Sequence, residues 1–329
     1  NMKIKQRYPE KKITIIAPAR LHFGFLNWNQ RIDSSIGSFG MALNNFVTKI
    51  TVERSKRLIV EGPQKDLAKK LVKKLLTKNN FSASVKVIIE KTIPNHAGLG
   101  SGTQLALALG YSVYSLFGKK IKIKDIAKLL ARGKRSGIGI GAFKYGGVLV
   151  DDGDLLQKSN SYRVPEIIIR IPFPKNWRII LILDRTIKGV HGNRERTVFK
   201  KLPSYPRKIS QKFYKILITE ALPSLTKENI GNFGKAVTKI QKIIGDHFSK
   251  FQGGNYSSYK VEKAVRWLNQ MGVSGYGQSS WGPTGFVFVS NEKKALRIIE
   301  KAKKEWNYEK DLNFVLCRGR NHGFRHRFF

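Results

Sequence analysis

A glycine-rich loop that opens directly onto an apolar helix constrains this chain more than any other feature. Its sequence is Ile93-Pro94-Asn95-His96-Ala97-Gly98-Leu99-Gly100-Ser101-Gly102-Thr103-Gln104. Glycines let backbone amides approach a ligand without interference from a Cβ atom, and the first turn of a helix adds unpaired N–H donors and a partial positive charge. Because a strand pattern precedes the loop and a long apolar helix follows it, we favour a phosphate-binding loop over an ordinary turn capped by Ser101 or Thr103.

The composition is that of a globular protein. Hydrophobic residues make up 41% and charged residues 26% of the 329 positions, which excludes collagen-like, coiled-coil and wholly disordered chains. No segment approaches the ~18 uncharged apolar residues of a membrane-spanning helix, and the first residues contain no apolar core of a signal peptide. We therefore expect a cytoplasmic protein with no membrane partner. The single cysteine, Cys317, excludes an internal disulfide and a cysteine-built metal site.

The charge balance is strongly basic. Lys and Arg total 62 against 22 Asp and Glu, a formal net charge of +40. The electrostatic field of this positive charge attracts nucleic acid, acidic lipid or phosphorylated metabolites. The lysines are dispersed along the chain, however, so a basic composition common to the whole proteome explains the charge equally well. Residues 318–329 combine Arg, His and Phe in the manner of a surface that stacks bases and binds phosphates. Nucleic-acid binding is therefore an alternative function that the charge allows.

Hydrophobic periodicity predicts an α+β chain in two lobes. The first lobe has predicted strands at 13–17, 21–25, 47–53, 57–61, 85–90, 148–151 and 167–171, and predicted helices at 65–76, 99–117 and 126–131. The second has predicted strands at 178–183, 273–276, 285–289 and 314–317, and predicted helices at 211–222, 230–244, 261–271 and 292–305. Pro172-Phe173-Pro174 marks the boundary, which gives lobes 1–174 and 175–329. The second lobe is predicted to be a small antiparallel sheet backed by helices.

Two segments resemble the signature motifs of the GHMP small-molecule kinases. Pro18-Ala19-Arg20-Leu21-His22-Phe23-Gly24 is similar to their first motif, P-x-R-[ILV]-x-x-G, and the glycine-rich loop resembles their second, P-x-x-x-G-L-G-S-S-A. Together with residues 132–143 and 278–286, these segments resemble the β-ribofuranosylaminobenzene 5′-phosphate synthases of that superfamily. The resemblance implies a two-lobed GHMP-kinase-like fold, with an N-terminal α/β two-layer domain and a C-terminal ferredoxin-like antiparallel sheet with helices.

The departures from the kinase motifs disfavour a kinase. Gly102 stands where the kinases have the second serine of the loop, which helps to bind nucleotide phosphate and magnesium. Aligning 136–137 with their Ser-Gly pair and 146–147 with their Gly-Gly pair places Gly139 at the position of their catalytic aspartate. A missing general base removes a factor of about 10²–10⁴ in rate. An ATP-dependent kinase of a small alcohol is therefore the weaker enzymatic alternative.

The resemblance implies a decarboxylating transferase of tetrahydromethanopterin-type cofactor biosynthesis. It joins phosphoribosyl pyrophosphate to 4-aminobenzoate or 4-hydroxybenzoate through a carbon–carbon glycosidic bond and releases pyrophosphate and carbon dioxide. Departing pyrophosphate leaves an oxocarbenium-like ribose, so cations or Mg²⁺ must neutralise the leaving group. We expect Mg²⁺ as the cofactor, bound through one or two carboxylates. The oligomeric state is left open, with a homodimer among the alternatives.

Four groups of site residues follow from the motifs and from side-chain chemistry. The predicted catalytic residues are Arg20, His22, His191 and Arg194. The predicted phosphate and pyrophosphate ligands are Gly98, Gly100, Ser101, Gly102, Thr103, Lys134, Arg135, Arg185, Lys188 and Arg194, because guanidinium forks bind phosphate bidentately. The predicted aromatic-acid pocket is formed by Gln278, Ser279, Ser280 and Trp281. The predicted metal ligands are Asp33 and Asp184, and Asp151 or Asp152 is the alternative ligand. Each group also has a structural alternative. The arginine-rich loop 185–196 would be a solvated basic loop, and His22 would be a structural histidine. The aromatic residues near 277–281 would belong to the core, and the aspartates would be surface carboxylates.

Overall fold

Two β-sheets organise the chain in the computed structural model, which describes residues 11–27, 36–81, 83–153, 163–187, 204–280 and 282–329, without the side chains of 250–252. The strands are β1 (Lys12–Phe25), β2 (Ser38–Ser55), β3 (Ile59–Glu61), β4 (Ser84–Lys91), β5 (Val148–Asp151), β6 (Ile167–Ile171), β7 (Arg178–Asp184), β8 (Gly275–Gln278), β9 (Thr284–Val289), β10 (Leu312–Cys317) and β11 (Arg325–Phe328). The first sheet has the order β11-β1-β2-β4-β3, with β5 paired to β2 and β6 to β5. The second is antiparallel, in the order β10-β7-β9-β8.

Helices accompany both sheets. They are α1 (Lys65–Asn79), α2 (Ser101–Leu116), α3 (Ile123–Leu129), α4 (Ile138–Lys144), α5 (Arg207–Ile216), α6 (Leu222–Thr226), α7 (Ile230–Gln252), α8 (Tyr259–Gln270) and α9 (Glu292–Glu305), and a π-helical turn, Leu217–Ala221, joins α5 to α6. Side chains cap α8 and α9, because Ser258 and Asn291 accept hydrogen bonds from backbone amides of the first turns. The predicted α+β class is confirmed. No helix in the described ranges is long and apolar enough to cross a membrane.

β1 is longer than the sequence pattern predicts. The predicted strands 13–17 and 21–25 form one continuous strand paired with β2. Register shifts between Pro18 and Ala19, and between His22 and Gly24, interrupt the regular pairing. Such irregularities bend a strand and redirect its side chains. They occur in the segment that carries Arg20 and His22.

The last strand of the chain pairs with the first. β11 lies antiparallel to β1, with Phe328 opposite Ile13. Phe324 stacks on Phe143 of α4 with ring centroids 4.3 Å apart. Phe324 therefore packs against the first lobe and is not available for base stacking, whereas Phe329 is exposed. The lobe boundary after residue 174 stays a prediction, with β11 belonging to the sheet of the first lobe.

An aromatic cluster connects the two sheets. The ring of Phe23 in β1 lies 5.3 Å from that of Phe286 and 5.9 Å from that of Phe288, both in β9. Phe288 also contacts Phe233 of α7 at 5.2 Å. All four rings are fully buried. This packing fixes the end of β1 against the second lobe, and the functional residues lie beside it.

Candidate functional site

The glycine-rich loop joins β4 to α2 and lies against both lobes. Gly98 and Gly100 have φ angles of 75° and 87°, in the left-handed region that favours glycine. A Cβ atom built at Gly98 would lie 2.2 Å from the carbonyl oxygen of Ser279, and one at Gly100 would lie 2.9 Å from Cγ of Arg20. Both positions therefore exclude a side chain for steric as well as conformational reasons.

The first turn of α2 has the features of an anion site. Gly100 is its N-cap, and no side chain caps the helix. The Ser101 hydroxyl instead donates to Oδ1 of Asn95 (3.1 Å), so capping by this serine is not what the structure shows. A Cβ atom at Gly102 would lie 3.5 Å from Nη1 of Arg132, which places a guanidinium beside this turn. Helix amides and a neighbouring arginine together suit a phosphate group.

Arg20 connects β1 to the loop. Its Nη1 donates a hydrogen bond to the carbonyl oxygen of Gly98 (2.6 Å), and its backbone amide donates to the carbonyl oxygen of Leu99 (3.0 Å). Its aliphatic stem occupies the space above Gly100. Arg20 thus positions the loop and adds positive charge beside it.

Ser279 connects the loop to the second lobe. Its hydroxyl donates to the carbonyl oxygen of Gly98 (2.7 Å) and accepts from the backbone amide of His22 (3.1 Å). The backbone amide of Ser280 donates to the carbonyl oxygen of His22 (3.0 Å). The turn after β8 therefore touches the loop and β1 at the same point.

A small cleft lies beside this point, and most of its roughly 350 Å³ of empty space is open to solvent. Its lining residues are His22, Phe23, Gly24, Gln241, Ile244, Gly245, Phe248, Asn255, Gln278 and Ser280. Gln241 of α7 donates to the carbonyl oxygen of Phe23 and accepts from the backbone amide of Gln278 (2.7 Å). Gln278 in turn accepts from the backbone amide of Ser257 (2.6 Å). Apolar walls with a few fixed polar groups suit a small aromatic ligand.

A buried chain of hydrogen bonds runs from the cleft into the protein. Nε2 of His22 lies 3.2 Å from the hydroxyl oxygen of Ser136, and that hydroxyl lies 3.0 Å from Oδ2 of Asp151. Asp151, at the end of β5, also accepts from the backbone amides of Gly137 (2.6 Å) and Gly153 (3.0 Å). His22 and Asp151 are 2% and 0% exposed. A carboxylate with no access to solvent is thus connected to the histidine through the Ser136 hydroxyl.

Burial shifts the pKa of both titratable groups in this chain of hydrogen bonds, His22 and Asp151. Desolvation lowers the pKa of His22 well below its ordinary value, and the charge of Arg20 lowers it further. Burial raises the pKa of Asp151 to about 6, against the opposing effect of the hydrogen bonds from Gly137, Gly153 and Ser136. At neutral pH His22 is therefore uncharged and Asp151 is mostly ionised.

The low pKa of His22 predicts a pH effect on stability. Below pH ~6.5 the unfolded chain binds a proton at this histidine that the folded chain excludes, so the free energy of unfolding falls as pH falls. Between pH 6.5 and 5.5 the wild type should lose about 1 kcal/mol more than His22→Gln. Urea unfolding at a series of pH values measures this difference, with His326→Gln as the control. Parallel curves for wild type and His22→Gln would contradict it.

Sequence comparison places this site in a family. Profiles described as the GHMP kinases N terminal domain and the GHMP kinases C terminal match residues 66–147 and 221–307. The beta-ribofuranosylphenol 5′-phosphate synthase of Methanocaldococcus jannaschii is 31% identical over 88% of this chain and 92% of its own length. The chain belongs to the β-ribofuranosylphenol 5′-phosphate synthase family. The same-named protein of Methanothermobacter thermautotrophicus is 28% identical over 86% of this chain and 90% of its own.

The fold of this synthase family member matches solved GHMP structures. The mevalonate diphosphate decarboxylase of Enterococcus faecalis superposes with a TM-score of 0.67 over 97% of this chain and 99% of its own, at 16% identity. At this identity the likeness shows the fold alone. It confirms the predicted two-lobed GHMP-kinase-like architecture.

The structure brings together many of the predicted site residues of the synthase. Those that meet at the loop and cleft are Arg20, His22, Gly98, Gly100, Ser101, Gly102, Thr103, Gln278, Ser279 and Ser280. Lys134 and Arg135 lie in the turn between Arg132 and α4. Arg185 is exposed at the end of β7, where its backbone amide donates to the carbonyl oxygen of Asp311 (3.1 Å). Asp33, Lys188, His191, Arg194 and Trp281 lie outside the described residues, and all these roles stay predictions.

Asp184 has its carboxylate oxygens occupied by protein donors. Oδ1 accepts from the amide (2.9 Å) and hydroxyl (2.6 Å) of Thr186, and Oδ2 accepts from the Ser258 hydroxyl (2.6 Å). Burial raises the pKa of Asp184, but these hydrogen bonds outweigh it and the pKa lies below its ordinary value. Within the described ranges, no three His, Cys, Asp or Glu side chains cluster as a metal site. Magnesium binding, with Asp33 and Asp184 as ligands, stays a prediction.

Sequence reasoning gave no role to three residues that shape the site, and it considered a fourth, Asp151, only as a metal ligand. Arg132 and Ser136 lie in the segment 132–143 that resembles the synthases. Their neighbours Lys134 and Arg135 are predicted as phosphate ligands instead, because both are cations. Asp151 ends a correctly predicted strand, and only the return of β5 beside α4 brings it to Ser136. Gln241 lies on an amphipathic helix with no motif around it.

Proposed function

We propose that this chain condenses phosphoribosyl pyrophosphate with 4-hydroxybenzoate or 4-aminobenzoate, forming a carbon–carbon glycosidic bond with loss of pyrophosphate and carbon dioxide. The product is a β-ribofuranosyl phosphate for tetrahydromethanopterin-type cofactor biosynthesis. One observation carries the proposal: Ser279 hydrogen-bonds to both the glycine-rich loop and His22, so an anion site and a cleft for a small ring are neighbours. The name of the relatives, with a phenol in the product, agrees with 4-hydroxybenzoate.

The anion site serves the sugar substrate. The first amides of α2, with Arg20 and Arg132 beside them, bind phosphate or pyrophosphate oxygens. Positive charge fixed at the leaving group stabilises the transition state as the bond from ribose C1′ to pyrophosphate lengthens. Mg²⁺, when bound to pyrophosphate, would add neutralising charge of the same kind.

The cleft serves the aromatic acid. Apolar contact with the partly exposed Ile244 would hold the ring. The ring carbon that bears the carboxyl group attacks ribose C1′, and loss of carbon dioxide from the same carbon restores aromaticity. Exclusion of water protects the oxocarbenium-like ribose from hydrolysis.

The proposal predicts strictly coupled product release. With Mg²⁺ present, carbon dioxide should form from carboxyl-labelled 4-hydroxybenzoate or 4-aminobenzoate only when phosphoribosyl pyrophosphate is added, with an equal amount of pyrophosphate. Labelled carbon dioxide and pyrophosphate are measured together, and benzoate, which has no para donor, is the substrate control. Carbon dioxide release without the sugar phosphate, or no release from either acid across pH and metal conditions, would refute the proposed function.

The structure weakens the kinase alternative at Gly139. A Cβ atom at this position would lie 3.3 Å from Cγ2 of Thr103 in the first turn of α2. The position therefore lies against the first turn of α2, but it carries no side chain that could act as a base. Because Gly102 also replaces the loop serine, Gly139→Asp is expected to create no ATP-dependent phosphorylation of small alcohols. Steady ATP consumption dependent on an alcohol, in the wild type or the variant, would support the kinase instead.

A further inference from the structure

The hydrogen bonds around His22 determine which ring nitrogen carries its proton. The Ser136 hydroxyl has one hydrogen, which it donates to Asp151, since a carboxylate can only accept. Its oxygen therefore accepts from the backbone amide of Ile138 (3.1 Å) and from Nε2 of His22 (3.2 Å). In the neutral ring Nε2 carries the proton and Nδ1 has a lone pair.

Nδ1 is a buried acceptor without a donor. Its nitrogen has no hydrogen-bond partner among the described residues, and His22 is one of the walls of the cleft. Burying a polar atom without a partner lowers the stability of the folded state. Among the described residues, the charge of Arg20 acts on His22 directly, and Asp151 is connected to it through the Ser136 hydroxyl. Nδ1 has less than 1 Å² of accessible surface, so a donor reaches it only when the groups that cover it move. Because His22 lines the cleft, its unsatisfied acceptor points to a ligand that donates a hydrogen bond there.

We propose that Nδ1 of His22 binds the para hydroxyl or amino group of the aromatic acid and takes its proton as the ring attacks. This inference rests on the proposed function. The bond from the ring carbon to ribose C1′ forms as the bond from C1′ to pyrophosphate breaks. The para O–H or N–H bond breaks at the same stage, its electron pair forms C=O or C=N at the ring, and its proton moves to Nδ1. When carbon dioxide leaves, its bonding pair returns to the ring and the para group recovers the proton from Nδ1.

A weakly basic histidine suffices for this transfer. The para proton becomes strongly acidic once ring electrons enter the new carbon–carbon bond, so the low pKa of His22 is no obstacle. The imidazolium that forms donates through Nε2 to Ser136, whose hydroxyl donates to the carboxylate of Asp151. Ser136 and Asp151 are thus positioning residues: they fix the tautomer and place a negative charge behind the ring.

Nitrogen NMR of protein labelled with ¹⁵N-histidine tests the tautomer without any assay of activity. The chain has six histidines, so the His22→Gln spectrum assigns the His22 signals and His326→Gln serves as the control. Nε2 should be protonated and Nδ1 unprotonated, and Nδ1 alone should shift when 4-hydroxybenzoate is added with pyrophosphate. Benzoate should leave it unmoved. A protonated Nδ1 in the neutral ring, or an Nδ1 signal insensitive to 4-hydroxybenzoate, would overturn the inference.

Kinetics provide the second test. His22→Gln keeps an N–H group that can donate to Ser136 but has no basic nitrogen. Its turnover of 4-hydroxybenzoate at pH 7 should fall at least hundredfold, with KM for the sugar phosphate changed less than threefold. Its rate should then rise about tenfold per pH unit as the phenol ionises in solution, a rise that the wild type lacks. Ser136→Ala should lose about tenfold in kcat with the same unchanged KM.

The outcomes separate this inference from the proposed function. A wild type that releases no carbon dioxide refutes the function, and the NMR result then decides the role of Nδ1 by itself. An active wild type beside a His22→Gln variant within threefold of it, with the same pH profile, refutes the role of His22 and leaves the function intact.

Discussion

Asp151→Ala is expected to lower the free energy of unfolding at pH 7 by about 2–4 kcal/mol. The carboxylate accepts from the buried backbone amides of Gly137 and Gly153, and each buried donor left without an acceptor costs about 1–3 kcal/mol. Relief of the desolvation that raises the pKa of Asp151 to about 6 offsets part of this loss. Urea unfolding followed by circular dichroism measures the change.

Glu166→Ala is the matched control for this substitution. Its carboxylate forms an ion pair with Lys124, but the side chain is 58% exposed, and exposed pairs contribute less than about 1 kcal/mol. If Asp151→Ala were as stable as Glu166→Ala, the buried hydrogen bonds at the end of β5 would not be the structural support inferred here.

Arg20→Ala is expected to reduce kcat/KM for phosphoribosyl pyrophosphate at least hundredfold, which corresponds to about 2.7 kcal/mol of transition-state stabilisation. The substitution removes the hydrogen bond to Gly98, the stem that packs on Gly100 and a positive charge beside the loop. Arg20→Lys should recover only part of the loss, because an ammonium cannot reproduce the planar guanidinium fork. Initial rates of pyrophosphate release measure both variants.

The double variant Lys69→Ala/Lys73→Ala removes the same kind of charge from the exposed side of α1. It should leave turnover almost unchanged, since exposed charges beyond a Debye length of roughly 8 Å are screened at physiological salt. Equal losses in Arg20→Ala and in the double variant would show that general charge, rather than a local site, drives turnover. Tight RNA binding with a steep salt dependence and no turnover would favour the nucleic-acid alternative.

Local patterns predicted the parts of the fold that local physics determines. The glycine loop, the strand 148–151 and the helix 292–305 follow from glycine placement, alternation and helical spacing, and the structure has them at those positions. β11 was missed because its four residues, Arg325–Phe328, contain no apolar alternation and become a strand only by pairing with β1.

The candidate site likewise contains residues that local motifs predict and residues whose roles depend on tertiary contacts. Arg20 and the loop belong to motifs whose residue types indicate phosphate binding. Asp151 acquires its role from tertiary contact with Ser136, and no spacing in one sequence shows that contact. The acceptor at Nδ1 of His22 depends further on the direction of a single hydroxyl hydrogen, which residue identity does not specify.

The pairing of β11 with β1 affects how the chain can fold during synthesis. β1 is translated early, but residues 13–16 on one edge of this strand obtain their partner, β11, only after residues 17–324 have been translated. Throughout that interval the nascent first lobe exposes an open strand edge beside apolar residues, the condition in which strands pair with other molecules. Completion of the sheet is therefore a late and long-range step.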